Sequence, residues 1–269
     1  EIKKPNFQFF KVSVMPGPSN LLEDSNSVII FFKDLTDIIK VQKLKSDFVA
    51  NVSHELRTPL QSIKLGLETI NNGHAAKDLE SQKKILPVVL QQTSRMENIV
   101  NDLLSLSRIE LQEHIRPNEK VNLNDIISHS IELHQEILKK NNIECQFERE
   151  SKNVKINGDR NRLIEVFNNL IDNGIKYSEK NKKITIITKS EHKNFLVTIK
   201  DQGIGISKEN IPQVTERFFR VDPAKSKEVG GTGLGLAIVK HIVNQHRAEM
   251  TISSEINKGT EISLNFPTI

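Results

Sequence analysis

Apolar and polar positions divide this 269-residue chain into three stretches with different periods. In the first, Phe7-Gln8-Phe9-Phe10-Lys11-Val12-Ser13-Val14 alternates in part, and Val28-Ile29-Ile30-Phe31-Phe32 is a β-rich run. The breakers Pro16-Gly17-Pro18-Ser19-Asn20 between them predict two strands joined by a turn. Residues 1–36 are too few to enclose a core and read as the closing strands of a larger domain.

The period then becomes helical over residues 38–71. Val49, Val52, Leu56, Leu60, Ile63, Leu67 and Ile70 fall within an arc of about 80° and predict a buried face. His54 lies about 165° from the middle of that arc, so its ring is expected to face solvent. Glu55 adjoins it, and Thr58 sits one turn further on along the same face. Pro59 should kink or loosen the helix, and Asn71-Asn72-Gly73 should end it. A second helical pattern covers residues 79–109, with Leu86, Val89, Thr93, Met96, Val100 and Leu103 at 3/4 spacing and Pro87 near its start. Two long amphipathic helices with a short polar connection predict an αα-hairpin. Alone it exposes too much apolar surface, so a homodimeric antiparallel four-helix bundle is expected.

After a linker at Arg116-Pro117-Asn118 the pattern is mixed. Helices are predicted at 124–139, 160–177 (with Asp159 as N-cap) and 234–246. Strands are predicted at 144–147, 154–156, 184–188, 195–200, 250–254 and 261–266. Residues 201–232 are Gly-rich and irregular. The expected fold class is α+β multidomain: strands over 1–36, a dimerising helical hairpin over 37–115, and an α/β sandwich over 116–269.

Composition narrows the partners. Lys and Arg number 38 against 34 Asp and Glu, a net charge of +4 in mixed-sign runs, which does not argue for nucleic acid. Cys145 is the single cysteine, so no internal disulfide or cysteine metal cluster can form, as suits a reducing cytoplasm. No apolar run approaches the roughly 18 residues of a membrane span. The chain begins at Glu1 rather than Met, so it is expected to be a fragment of a longer protein.

Three clusters carry candidate chemistry. On the helix from residue 160, Glu165, Asn169, Asn173 and Lys176 share an arc of about 80°, opposite Leu163, Val166, Leu170 and Ile171. A carboxylate, two amides and a cation offer oxygen ligands for Mg²⁺ and a charge for phosphate; a solvated helix face is the plainer alternative. Asp201-Gln202-Gly203-Ile204-Gly205 follows a strand, where the carboxylate can accept from an exocyclic amine and the glycines admit a flat ligand. Gly231-Thr232-Gly233-Leu234-Gly235-Leu236 opens a helix and can cradle phosphate, although no Lys-Ser/Thr follows as in a Walker loop. Between these clusters, Arg217-Phe218-Phe219-Arg220 suits a movable lid with Arg220 a phosphate contact.

The combination resembles the two-component sensor histidine kinases over about residues 34–267. Ser53-His54-Glu55-Leu56-Arg57-Thr58-Pro59-Leu60 is similar to the phospho-acceptor motif. Asn169-Leu170-Ile171-Asp172-Asn173-Gly174-Ile175-Lys176-Tyr177 is similar to the N box, with Gly174 where Ala is usual. The clusters at 201–205, 217–220 and 231–236 resemble the G1, F and G2 boxes, with Phe219 where Tyr is common, and Gly259-Thr260 the last glycine box. Asp34-Leu35-Thr36 resembles the exit motif of PAS domains, and three segments look closer to the phosphate-regulon members than to others. The resemblance implies ATP and Mg²⁺ bound in a Bergerat-type domain, within the cytoplasmic portion of an inner-membrane protein anchored through segments upstream. Asp201 would hold adenine, and Glu165, Asn169 and Asn173 would place the metal. Lys176, Tyr177, Arg220, Gly203, Gly205 and residues Gly231, Thr232, Gly233, Leu234 and Gly235 would contact the nucleotide. His54 would be the phospho-acceptor and Glu55 its base. Thr58 would hold water for dephosphorylating a response-regulator receiver domain. Two other classes share part of this pattern: a chaperone- or topoisomerase-type ATPase without the histidine step, and a non-catalytic dimeric scaffold.

Overall fold

The computed structural model describes residues 8–16, 28–72, 78–150, 154–178, 181–222, 226 and 230–269. They divide into two compact units, residues 1–58 and residues 59–269. Strands β1 (Phe10–Pro16) and β2 (Val28–Asp34) pair antiparallel, from Phe10 opposite Asp34 to Pro16 opposite Val28. The breaker residues 17–20 and Gly73 lie outside the described residues. Every residue of β2 is exposed, as expected of strands without a covering layer. Asp34 joins this hairpin to helix α1 (Thr36–Asn72): its Oδ1 accepts the Thr36 N–H (2.8 Å), and the Thr36 hydroxyl accepts the Phe9 N–H (2.9 Å). Hydrogen bonds from the Thr36 side chain, first, and from its N–H hold the Asp34 carboxyl below the usual carboxylate range.

The helix α1 runs from Thr36 to Asn72 with Pro59 inside it, so the proline, expected to kink or loosen the helix, does not end it. Helix α2 (Leu79–Leu111) likewise contains Pro87, and Asp78 caps it by accepting the Glu80 N–H. The face predicted to be buried on α1 is only partly covered in the single chain: Val49, Leu60 and Leu67 are 57%, 53% and 50% exposed, and Val52, Leu56, Ile63 and Ile70 are half-buried. On α2 the buried residues are Val89, Arg95, Ile99, Leu106 and Ile109, whereas Leu86 and Val100 stay exposed. Periodicity locates an apolar face, but only a partner can cover one this wide.

Within the second unit the helices are followed by a two-layer sandwich. Strands β4 (Glu144–Glu148), β6 (Lys183–Glu191), β7 (Asn194–Asp201), β8 (Glu249–Glu255) and β9 (Gly259–Pro267) form one sheet in the order β4-β6-β7-β9-β8, parallel only between β4 and β6. Alternate residues Ile184 and Ile186, Phe195 and Val197, and Leu264 and Phe266 point inward. They meet a helical layer of α3 (Leu123–Leu133), α5 (Arg160–Tyr177) and α6 (Gly235–Gln245), whose inward residues include Ile126, Phe167, Leu170, Ile238 and Ile242. The long helix predicted over 124–139 is two, because the chain turns at His134 before α4 (Gln135–Lys140). A short strand β3 (Lys120–Asn122), paired with β5 (Lys155–Asn157), is too brief to carry a period and has no counterpart among the predicted strands.

Candidate functional site

Helix α5 starts where Asp159 accepts the N–H groups of Asn161 (2.9 Å) and Arg162 (3.1 Å). Capping fixes the helix register, and its apolar side then seats against the sheet, leaving Asn169, Asn173 and Lys176 on one wall of a pocket. The other walls bring in Tyr177, Asp201, Gly205, Arg220, Gly231, Thr232, Gly233 and Gly235, residues spread from position 177 to position 235 of the sequence. Apolar side chains, among them Ile199, Ile206, Phe219 and Ile262, complete a slot suited to a flat ring.

Asp201 ends β7 at the base of this slot. One carboxylate oxygen accepts the N–H groups of Gly203 (2.8 Å) and Thr260 (3.1 Å), which fixes the group and leaves its second oxygen as acceptor. Burial pushes its pKa up, against these two bonds. Gly259 makes the arrangement possible: at φ +100°, a Cβ there would lie 2.0 Å from the Asp201 carbonyl oxygen. Gly203 thus supports Asp201 rather than facing the pocket, and Leu234 is fully buried behind it.

The glycine loop enters α6 beside the amide stripe. A Cβ on Gly235 would stand 2.7 Å from the Asn169 amide oxygen, so a larger residue there would push the Asn169 side chain aside. Arg220 donates to the Thr232 carbonyl (2.8 Å), and Phe218 donates its N–H to the Gly233 carbonyl (2.8 Å) from a left-handed backbone, φ +63°. Lys176 pairs with Asp172 at 2.5 Å; Asp172 also lines the pocket and is absent from the predicted site, although its i,i+4 spacing to Lys176 was visible.

Glu165 stands differently from the expectation that it faces the metal. Its carboxylate accepts from the Ser105 hydroxyl of α2 and pairs with Arg162 (3.3 Å), outside the slot that holds Asn169 and Asn173. Asp102, also of α2, accepts from the Thr232 hydroxyl (2.7 Å), a contact that no sequence pattern marked.

In the first unit, His54 is exposed and Glu55 and Thr58 are half-buried. The Thr58 hydroxyl donates to the His54 carbonyl (3.3 Å), so it lies on the histidine's side of the helix, one turn on.

Residues 44–112 match the family described as His Kinase A (phospho-acceptor) domain, and residues 158–269 match the histidine kinase-, DNA gyrase B-, and HSP90-like ATPase. The chain is 33% identical over 255 residues to the sensor-like histidine kinase SenX3 of Mycobacterium tuberculosis, covering 94% of this chain and 62% of that protein. It is 34% identical over 239 residues to the phosphate regulon sensor protein PhoR of Pseudomonas aeruginosa, covering 88% of this chain and 53% of that one. The chain therefore spans less than two thirds of these curated relatives. The solved complex of histidine kinase ThkA with the response regulator TrrA shares the fold, at TM-score 0.65 and 23% identity over 99% of this chain and 77% of that one.

Proposed function

Because the chain belongs to the two-component sensor histidine kinases, we propose that it moves the γ-phosphoryl group of ATP to His54 and then to an aspartate on a response-regulator receiver domain. One observation carries this reading. A single pocket gathers a fixed carboxylate, two amides, two cations and a glycine loop, in a chain that also displays an exposed histidine on a long helix.

In this reading Asp201 accepts the adenine amine, and Lys176 and Arg220 meet phosphate oxygens. Residues 231–235 turn backbone N–H groups toward the phosphates, with Gly205 and Tyr177 closing the slot. Asn169 and Asn173 offer neutral hard oxygens. No group of three or more His, Cys, Asp or Glu among the described residues could hold a metal. The amide oxygens of Asn169 and Asn173 would help hold Mg²⁺ when nucleotide is bound, and Glu165 would join them once freed from Ser105 and Arg162. Mg²⁺ bound there would neutralise charge on the transferring group.

A lone pair of the His54 ring attacks phosphorus as the bond to the ADP bridging oxygen breaks, and Glu55 takes the proton leaving the other ring nitrogen. Thr58, turned toward His54, would orient water for the reverse duty of dephosphorylating the regulator. The open faces of α1 and α2 support a homodimeric four-helix bundle. The domain reading keeps residues 1–36 as closing PAS strands, 37–115 as the phosphotransfer hairpin and 116–269 as the nucleotide domain. No helix among the described residues is long and apolar enough to cross a membrane, so anchorage would come from other segments. The likeness to the phosphate-regulon sensor supports a role in phosphate response.

The test is incubation with ATP labelled at the γ-phosphate, alone and with a panel of receiver domains. Acid-labile label should appear on the chain, vanish in His54→Gln and pass to one receiver. An unlabelled wild type with intact fold refutes the proposal.

A further inference from the structure

Asp201 is oriented by two backbone donors from separate parts of the chain, Gly203 just after it and Thr260 at the start of β9. One side chain ties those parts together. Ser254, half-buried near the end of β8, accepts the Ile206 N–H (2.8 Å) and donates to the Gly259 carbonyl (2.8 Å). Its hydroxyl also meets that of Thr260 at 2.9 Å. Ile206 and Thr260 line the slot, whereas Ser254 stands behind them and is not one of its lining residues. We propose that Ser254 is a positioning residue for base selection: its hydroxyl fixes the two backbone segments that aim the Asp201 carboxylate. The proposal rests on the nucleotide reading given above.

Two physical arguments carry it. The first is saturation. A hydroxyl has one proton to donate and two lone pairs to accept with. In Ser254 the proton goes to Gly259, and the lone pairs take the Ile206 N–H and the Thr260 hydroxyl. A group used so completely serves geometry rather than chemistry. The second is close approach. The segment 203–206 reaches the end of β8 because Gly205 adopts φ +69°; a Cβ there would stand 2.0 Å from the Glu255 carbonyl oxygen. The register of β8 and β9 sets Ser254 opposite Thr260 and Glu255 opposite Gly259, so both segments arrive at one hydroxyl. Backbone bonds support the first of them: the Ile204 N–H donates to the Tyr177 carbonyl (3.1 Å), and the Asn257 N–H donates to the Ile204 carbonyl (2.8 Å). Ser254 joins that segment to the second through a single atom. The Gly203 and Thr260 N–H groups share one Asp201 oxygen, so a shift of either segment turns the carboxylate.

The test compares ADP with IDP, whose base carries a carbonyl oxygen in place of the amine. Calorimetric titration of the whole chain, with Mg²⁺ present, should show a preference for ADP of about tenfold or more, the worth of a hydrogen bond to a charged group. In Ser254→Ala the Ile206 N–H loses its acceptor and Asp201 its aim. ADP binding should then weaken about tenfold while IDP binding changes less than about twofold. Ser254→Thr keeps the hydroxyl and should restore the preference. Melting curves would confirm that each variant is folded. A second measurement needs no substitution. Base recognition and alignment of the segments are reciprocal, so saturating ADP should slow exchange of the Ile206 N–H more than saturating IDP does. A wild-type ADP-to-IDP ratio in Ser254→Ala, no recovery in a folded Ser254→Thr, or equal protection of Ile206 by the two nucleotides overturns the positioning role and leaves the nucleotide reading standing. An unaltered chain that binds neither nucleotide, or binds both alike, overturns the assignment of Asp201 to the base and the proposal with it.

Discussion

The Asp201→Asn substitution separates recognition of the base from stability of the fold. One oxygen of Asp201 already accepts two N–H groups, from Gly203 and Thr260, and an asparagine oxygen can accept the same two. The amide nitrogen then takes the place of the second oxygen, so the slot presents a donor where it presented an acceptor. An adenine amine meeting that donor loses a charge-assisted hydrogen bond, worth about 1.5–3 kcal/mol, or roughly 10- to 100-fold in affinity. Guanine carries a carbonyl oxygen at the corresponding ring position, so the same exchange should favour guanine nucleotides. Stability should move the other way or not at all. Burial raises the Asp201 pKa, so folding disfavours its charged form, and a neutral amide removes that cost. The assay pairs calorimetric titration of ADP and GDP with urea unfolding. ADP affinity within twofold of wild type, in a folded variant, would refute the assignment of Asp201 to the base. A collapse of the fold would instead show that the carboxylate charge is structural.

Three further outcomes follow from the packing. Gly174→Ala should stabilise the protein by about 0.5 kcal/mol in urea, because up to about 1 kcal/mol of helix propensity is recovered while the Ile184 δ-methyl, 3.0 Å from the new Cβ, gives way slightly; a loss above that size would mean Ile184 cannot move. Gly259→Ala should cost more than about 3 kcal/mol, since its Cβ would sit 2.0 Å from backbone oxygen in a left-handed conformation, and an unchanged unfolding midpoint would contradict the geometry. His246 accepts the Asp159 N–H (3.0 Å) and donates its other ring N–H to the Ile242 carbonyl (2.7 Å), and burial lowers its pKa below the ordinary value near 6.5. The folded state thus prefers the neutral ring, so its stabilisation is complete above about pH 6.5 and is lost as pH falls through the lower folded value. The gap in urea midpoint between wild type and His246→Gln should narrow between pH 7.5 and 5; a gap constant with pH would show that the ring does not titrate with unfolding.

What was legible in the sequence was whatever one element settles by itself. The α5 boundaries and the Asp159 cap depend on neighbours a few residues apart, and the amide stripe needs only the helical period. The strand runs at 184–188, 195–200 and 261–266 located β6, β7 and β9 for the same reason. Choices between partners were not legible. Asp102 and Thr232 are separated by 130 residues, and a carboxylate at 102 has the spacing of any solvated helix position. The apolar face of α1 could be drawn on a helical wheel, but not what covers it. Glu165 shows both halves of this limit. Its spacing placed it on the polar face of α5 beside Asn169, and so it stands, but its carboxylate takes Ser105 and Arg162 because α2 supplies a closer partner. A motif specifies which groups a reaction needs, whereas a single structure shows which contacts those groups make in one state. Where the two differ, as at Glu165, the contact comes from a residue of α2 sixty positions away, which no motif includes.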